Sequence, residues 1–131
     1  MKKSGMLNRD ITTVLAKLGH TDTIIIADCG LPIPEETMCI DVSIALGTPS
    51  LTSVLRAIVD DMKIEEMTLA NEIKEKNGML HEELIDTYAD IPKQYISHDA
   101  LKQKTKQAKA VIRTGEATPY ANVILQAGVI F

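Results

Sequence analysis

The spacing of apolar positions changes several times along the chain, and each change marks an element. Leu7, Ile11, Val14, Leu15 and Leu18 recur at helical spacing, with Asn8 as N-cap and Gly19 just past the end, which predicts a first amphipathic helix. The β-branched run Ile24-Ile25-Ile26 that follows predicts a buried strand. Ile40, Val42 and Ile44 alternate with Asp41 and Ser43, predicting a second strand with one polar face. Leu51, Val54, Leu55, Ile58, Val59 and Met62 return to helical spacing, and Gly47-Thr48-Pro49 ahead of them predicts a helix start with Thr48 as N-cap and Pro49 at the first helical position. Ile64 to Ile73 reads as strand, Gly78 to Tyr88 as helix up to the Pro92 break, Gln94 to Ser97 as a short strand and His98 to Ala108 as helix. Strands at Ala110 to Arg113 and Val123 to Ala127 complete the series.

Strands and helices alternate throughout, which predicts an α/β fold: a three-layer domain with a mainly parallel central sheet flanked by helices. A chain of 131 residues can bury its own core, so residues 1–131 are expected to form a single domain. No repeat, linker or low-complexity stretch interrupts it.

Composition then removes several function classes. Apolar residues make up 45% and charged residues 24%, the balance of a globular protein. With no Trp, one Phe and three Tyr, the core must be aliphatic and stacking platforms for bases are scarce. A net charge of −4 disfavours nucleic acid as a partner. Cys29 and Cys39 have no C-x-x-C or Cys/His spacing, so neither a zinc site nor a thioredoxin-like motif is expected. No window approaches the roughly 18 apolar residues of a membrane span, and the N-terminus lacks a signal-type apolar stretch. A cytoplasmic protein with no membrane partner is the expectation.

Titratable groups sit at both ends of the isoleucine strand. His20 precedes it, and Asp28-Cys29-Gly30 follows it, at the kind of strand end where α/β proteins place ligands. Each residue has a structural alternative: Asp28 as the cap of a turn, His20 as a partner of the preceding helix's carboxyl end. His98-Asp99 follows another short strand, with His98 on a loop edge facing a ligand and Asp99 favourable to the helix dipole. Four lysines on the next segment, Lys102, Lys104, Lys106 and Lys109, read as a solvated face, and Lys102, one turn after His98, is the one placed to turn inward. In Thr118-Pro119-Tyr120-Ala121-Asn122, Tyr120 supplies a phenol and Asn122 an amide suited to sugar hydroxyls, and a proline-braced turn explains the stretch equally. His81 in "HEE" lacks the second histidine of a zinc signature and reads as a surface residue. Cys29 reads as a small buried thiol rather than a nucleophile.

Taken together, "LGHTDTIIIADCGLPIP" at 18–34, "ISHDALKQKTKQAKAVIRTGE" at 96–116 and "PYANVILQAGV" at 119–129 resemble the ribose pyranase family, relatives of the fucose mutarotases. The opening "MKKSGMLNRDITTVLAKLGH" is similar too, so the resemblance spans the chain. It implies a cofactor-free isomerase that interconverts the pyranose and furanose rings of D-ribose by acid/base ring opening and closure, working beside ribose uptake. It also implies a homodecamer of two stacked pentamers with sites between subunits. The residues it carries over are His20 as catalytic acid/base, Asp28 and His98 as ribose ligands, Tyr120 with Asn122 from the "YAN" turn, and Lys102. A non-catalytic sugar-binding protein coupled to ribose transport is the rival reading. A thiol enzyme using Cys29 and a nucleic-acid binder using Lys102 to Lys109 are further ones.

Overall fold

The computed structural model describes residues 1–131. Six strands, β1 (Thr23–Ala27), β2 (Cys39–Asp41), β3 (Ile64–Ala70), β4 (Lys93–Ile96), β5 (Ala110–Arg113) and β6 (Val123–Ala127), form one sheet in the order β2-β5-β1-β6-β3-β4. The helices are α1 (Arg9–Lys17), α2 (Leu51–Val59), α3 (Ile73–Lys76), α4 (Gly78–Thr87) and α5 (His98–Lys104). β1 with β5, β2 with β5 and β3 with β4 pair in parallel, while β6 pairs antiparallel with both β1 and β3. Five strands therefore run one way and β6 alone is reversed, which is the mainly parallel sheet expected.

β1 lies inside the sheet, and Ile24, Ile25, Ile26 and Ala27 are fully inaccessible. Ile24 and Ile26 face the larger core, among Ile11 and Val14 of α1, Leu51, Leu55 and Ile58 of α2, and Leu84 of α4. Ile25 and Ala27 face the opposite way, onto Leu101 of α5 and Leu31. A strand covered on both sides needs apolar residues at every position, and this explains the unbroken isoleucine run. Burying the three isoleucines contributes roughly 5–9 kcal/mol before conformational entropy is subtracted. Beside the end of α5 the thinner face turns polar, with Thr23, Glu66, Thr68, Gln94 and Gln126 joining Lys104 around a hollow of about 100 Å³.

Element ends depart from the sequence expectation where a partner runs out. Asn8 is the cap of α1, its side-chain oxygen accepting from the N–H groups of Asp10 and Ile11 at 3.0 Å each, so Leu7 lies outside the helix and is exposed. β2 stops at Asp41 because its one neighbour, β5, ends at Arg113, and Ile44 is left in solvent. β3 stops at Ala70, opposite the last residue of β4, and Ile73 is buried in α3 instead of extending the strand.

The expected start of α2 is corrected. Thr48 is held in a tight bridge, its N–H donating to the Ala45 carbonyl at 2.9 Å and its carbonyl accepting from Ile44 at 2.9 Å, and Pro49 follows through a cis peptide bond. The Pro49 carbonyl accepts from Gly115, so the helix begins at Leu51 with Ser50 as its cap. α5 is also shorter than expected: the Thr105 carbonyl is taken by the Thr37 hydroxyl at 3.0 Å, and the chain turns away after Lys104. His81 is not a surface residue but half-buried, its Nε2 2.6 Å from the Tyr95 hydroxyl.

Gly115 is where the 45–48 bridge meets the end of β5. A Cβ there would lie 2.3 Å from the Thr48 carbonyl oxygen and 2.6 Å from that of Ala45, both backbone atoms that cannot step aside. Gly115→Ala is expected to cost about 3 kcal/mol in urea unfolding, the upper end for overpacking, and Asn8→Ala about 1 kcal/mol for the lost cap.

Candidate active site

The topology brings residues distant in sequence to the same edge of the sheet. Asp28 follows β1, Glu72 follows β3, His98 follows β4 and Glu116 follows β5, all beyond carboxyl ends of strands. Because β6 is reversed, the segment that precedes it, Thr118 to Asn122, arrives at that same edge.

Asn122 is fully buried and meets Asp28 twice: its Oδ1 accepts from the Asp28 backbone N–H at 3.0 Å and its Nδ2 donates to Asp28 Oδ2 at 2.9 Å. The other carboxylate oxygen, Oδ1, accepts from the Gly30 N–H at 2.9 Å. Asp28 therefore both caps a turn and holds an aimed carboxylate, and the half-buried group keeps free lone pairs for a ligand hydroxyl. Arg113 secures the same loop, donating from Nε at 3.2 Å and Nη2 at 3.0 Å to the Cys29 carbonyl. Its Nη1 reaches Asp41 Oδ2 at 3.0 Å, and the Ser43 hydroxyl and N–H, with Arg113 behind them, hold the Asp41 carboxyl below its ordinary range.

Tyr120 sits beside this pair in the left-handed region, φ 55°, and its ring packs edge-on to His98 with centroids 5.0 Å apart. His98 opens α5, its backbone N–H donating to Glu72 Oε2 at 2.8 Å. Its Nδ1 is buried with no hydrogen-bond partner. Lys102 is not joined to these groups: its ammonium lies 2.8 Å from Asp99 Oδ1 on the outer side of α5. That pair borders a hollow of about 400 Å³ between α5 and the Pro32-Ile33-Pro34 turn, and Lys102 draws the Asp99 carboxyl downward in pKa. Lys104, Lys106 and Lys109 are solvated, as the lysine spacing suggested.

His20 stands at the other edge. Between it and Asp28 runs the whole of β1, about 16 Å at ~3.3 Å per residue. Its Nε2 is 3.1 Å from Glu65 Oε2, where β3 starts, rather than on the end of α1. The Gln126 amide, at 3.0 Å, and then His20 lower the Glu65 carboxyl below its ordinary value. The residue after His20, Thr21, has φ 72°, a conformation that costs a β-branched residue of order 1–3 kcal/mol. Thr21 and Tyr120 are the two non-glycine residues with positive φ, and each adjoins or carries a candidate group.

Sequence reasoning did not find Glu65, Glu72 or Arg113. Glu65 is 45 positions from His20 and Arg113 is 84 from Cys29, and only strand pairing brings them together. The strand reading of Ile64 to Ile73 placed Glu65 near a strand start, and it names no partner.

A mainly parallel sheet whose carboxyl-end loops gather a carboxylate, an amide, an imidazole and a phenol defines an α/β protein with a small polar ligand site. More specifically, the chain belongs to the RbsD / FucU transport protein family, whose model matches residues 1–130. It is 59% identical over 131 residues to the D-ribose pyranase of Exiguobacterium sibiricum, with 100% of both chains covered. To the D-ribose pyranase of Geobacillus kaustophilus it is 57% identical, covering 100% of this chain and 96% of that protein. The structure of Bacillus subtilis RbsD complexed with D-ribose matches with a TM-score of 0.97 at 46% identity, 100% of each chain being covered. The fucose mutarotase of Streptococcus pneumoniae, solved with L-fucose, shares the fold, with a TM-score of 0.75 at 22% identity over 95% of each chain. No helix is long and apolar enough to cross a membrane.

Asn122→Asp keeps the shape of the Asn122–Asp28 contact but sets two carboxylates 2.9 Å apart where an amide donated before. Such a pair is tolerated when one proton is shared, so the variant is expected to match the wild type near pH 4 and to lose stability against it as the pH rises to 7. Urea midpoints of both proteins across that range test this, and parallel curves would refute it.

Proposed function

We propose that the protein interconverts the pyranose and furanose forms of D-ribose by acid/base ring opening and closure, as a cytoplasmic isomerase beside ribose uptake. The observation that carries this reading is the Asp28–Asn122 and His98–Tyr120 group, held on a chain that matches RbsD complexed with D-ribose along its full length.

The chemistry asks little beyond proton transfer. A base takes the proton of the anomeric hydroxyl while an acid protonates the ring oxygen, and the hemiacetal opens to the aldehyde. A different hydroxyl of the same sugar then attacks the carbonyl, with the two protons returned, and the other ring size forms. Asp28 and Tyr120 bind hydroxyls, the fully buried Asn122 aims the Asp28 carboxylate and His98 packs against Tyr120, while Lys102, paired with Asp99 on the outer side of α5, stands apart. His20 is the acid/base, because an imidazole nitrogen can both accept a proton and give it back. A positioned group of this kind contributes about 10²–10⁴-fold.

The length of β1 means that one chain cannot bring its own His20 to its own Asp28. This separation supports a sugar site between subunits, where His20 of one copy meets the Asp28 edge of another. A decamer of two stacked pentamers supplies such junctions. The half-exposed His20 imidazole, joined to Glu65 and lacking the other site groups around it, supports this reading.

Saturation-transfer NMR on equilibrated D-ribose tests the proposal. The wild type is expected to speed pyranose–furanose exchange, and His20→Ala to lose about 10²-fold or more of it while still binding ribose. Binding without any wild-type acceleration would leave a sugar receptor coupled to transport instead. A forced monomer that kept full exchange would sink the intersubunit site.

A further inference from the structure

The His98–Tyr120 ring pair is assembled from two loops that do not bond to each other through their backbones, and something must hold them in register. The short helix α3 and its flanks lie across both. At its leading end, the Glu72 carboxylate accepts from the His98 backbone N–H at 2.8 Å, fixing the first residue of α5. At its trailing end, the Asn77 amide donates to the Thr118 hydroxyl and to the Pro119 carbonyl, at 2.9 Å each. Pro119 directly precedes Tyr120, whose left-handed backbone needs an external restraint to persist. The Thr118 hydroxyl in turn donates to Glu116 Oε2 at 3.0 Å, so the turn is tied from both sides.

The brace itself is anchored. Ile73 is fully buried in the main core, and the Asn71 N–H donates to the Ile96 carbonyl at 2.7 Å, carrying β3 into the turn beside β4. The Lys74 ammonium lies 3.8 Å from the centroid of Tyr95 on β4, a cation–π contact that pins the outer face of α3.

We infer that Glu72 and Asn77 are positioning residues for the sugar site: from the two ends of α3 they hold His98 and Tyr120 in contact without touching the sugar. This rests on the ring-form reading for its ligand and on the geometry alone for the brace.

The test uses Asn77→Asp, which keeps the shape but removes the donor, and Glu72→Ala against Glu72→Gln, which retains an acceptor oxygen. Asn77→Asp and Glu72→Ala are expected to weaken D-ribose binding about tenfold, with unfolding midpoints close to wild type, and Glu72→Gln to restore it. In a Tyr120→Ala background, Asn77→Asp should have no further effect on ribose binding, because the two act as a unit. In sugar-free protein with labelled His and Tyr, the wild type should show nuclear Overhauser contacts between the His98 and Tyr120 rings, and Asn77→Asp should lose them.

Unchanged ribose binding with intact ring contacts in Asn77→Asp, or an undiminished Asn77→Asp effect in the Tyr120→Ala background, overturns the inference. Wild type that binds no ribose defeats the ring-form reading instead, and the sugar-free ring contacts then still decide the brace.

Discussion

The burial of β1 on both faces is the constraint from which the rest of the molecule follows. Four successive residues, Ile24 to Ala27, have no access to water, so each backbone N–H and carbonyl must find a partner in the sheet. β5 supplies one edge and the reversed β6 the other. Where the strand ends the requirement continues, and side chains meet it. The Ala27 carbonyl accepts from the Thr114 N–H and hydroxyl, the Asp28 N–H is met by Asn122, the Cys29 N–H by the Glu116 carbonyl, and the Cys29 carbonyl by Arg113. The rigidity of the candidate site is therefore a by-product of satisfying buried polar groups around one apolar strand.

The same strand separates the chemistry into two halves. Asp28, Asn122, His98 and Tyr120 share one edge, and His20 with Glu65 holds the other. Each half includes or adjoins a backbone held at positive φ, Tyr120 on one side and Thr21 on the other. Residues of these types leave that region unless neighbouring bonds retain them, and they concentrate where a side chain must point in one direction. Thr21 is retained by its N–H bond to the Ala127 carbonyl at 3.0 Å, and Gly19 and Asp22 close the same turn. The histidine presented in this way points to Glu65 and solvent, not toward the chain's own carboxyl-end loops.

Much of the secondary structure was legible along the chain. α1 with its Asn8 cap, β5 and β6 were readable because helix and strand periodicities and capping chemistry are local. The misjudged ends were those set by partners. Thr48 looked like a helix cap until Ala45 and Ile44 claimed its backbone groups, and the alternating Ile40 to Ile44 could continue as strand only while β5 continued beside it. The Asp28 carboxylate was weighed as either a turn cap or a ligand; its Oδ1 caps the turn at Gly30, so the capping description applies, and its Oδ2 is held by Asn122.

By itself the sequence determined which residues could carry chemistry and which segments would be strands, since side-chain type and apolar spacing belong to the chain alone. Tertiary structure decided which of those residues meet. Reversing β6 brings Asn122 to Asp28 across 94 positions and Tyr120 to His98, and the span of β1 keeps His20 away from both. The interposed pairings that set these distances depend on strand order, and strand order is a property of how buried faces and backbone donors are satisfied together in space.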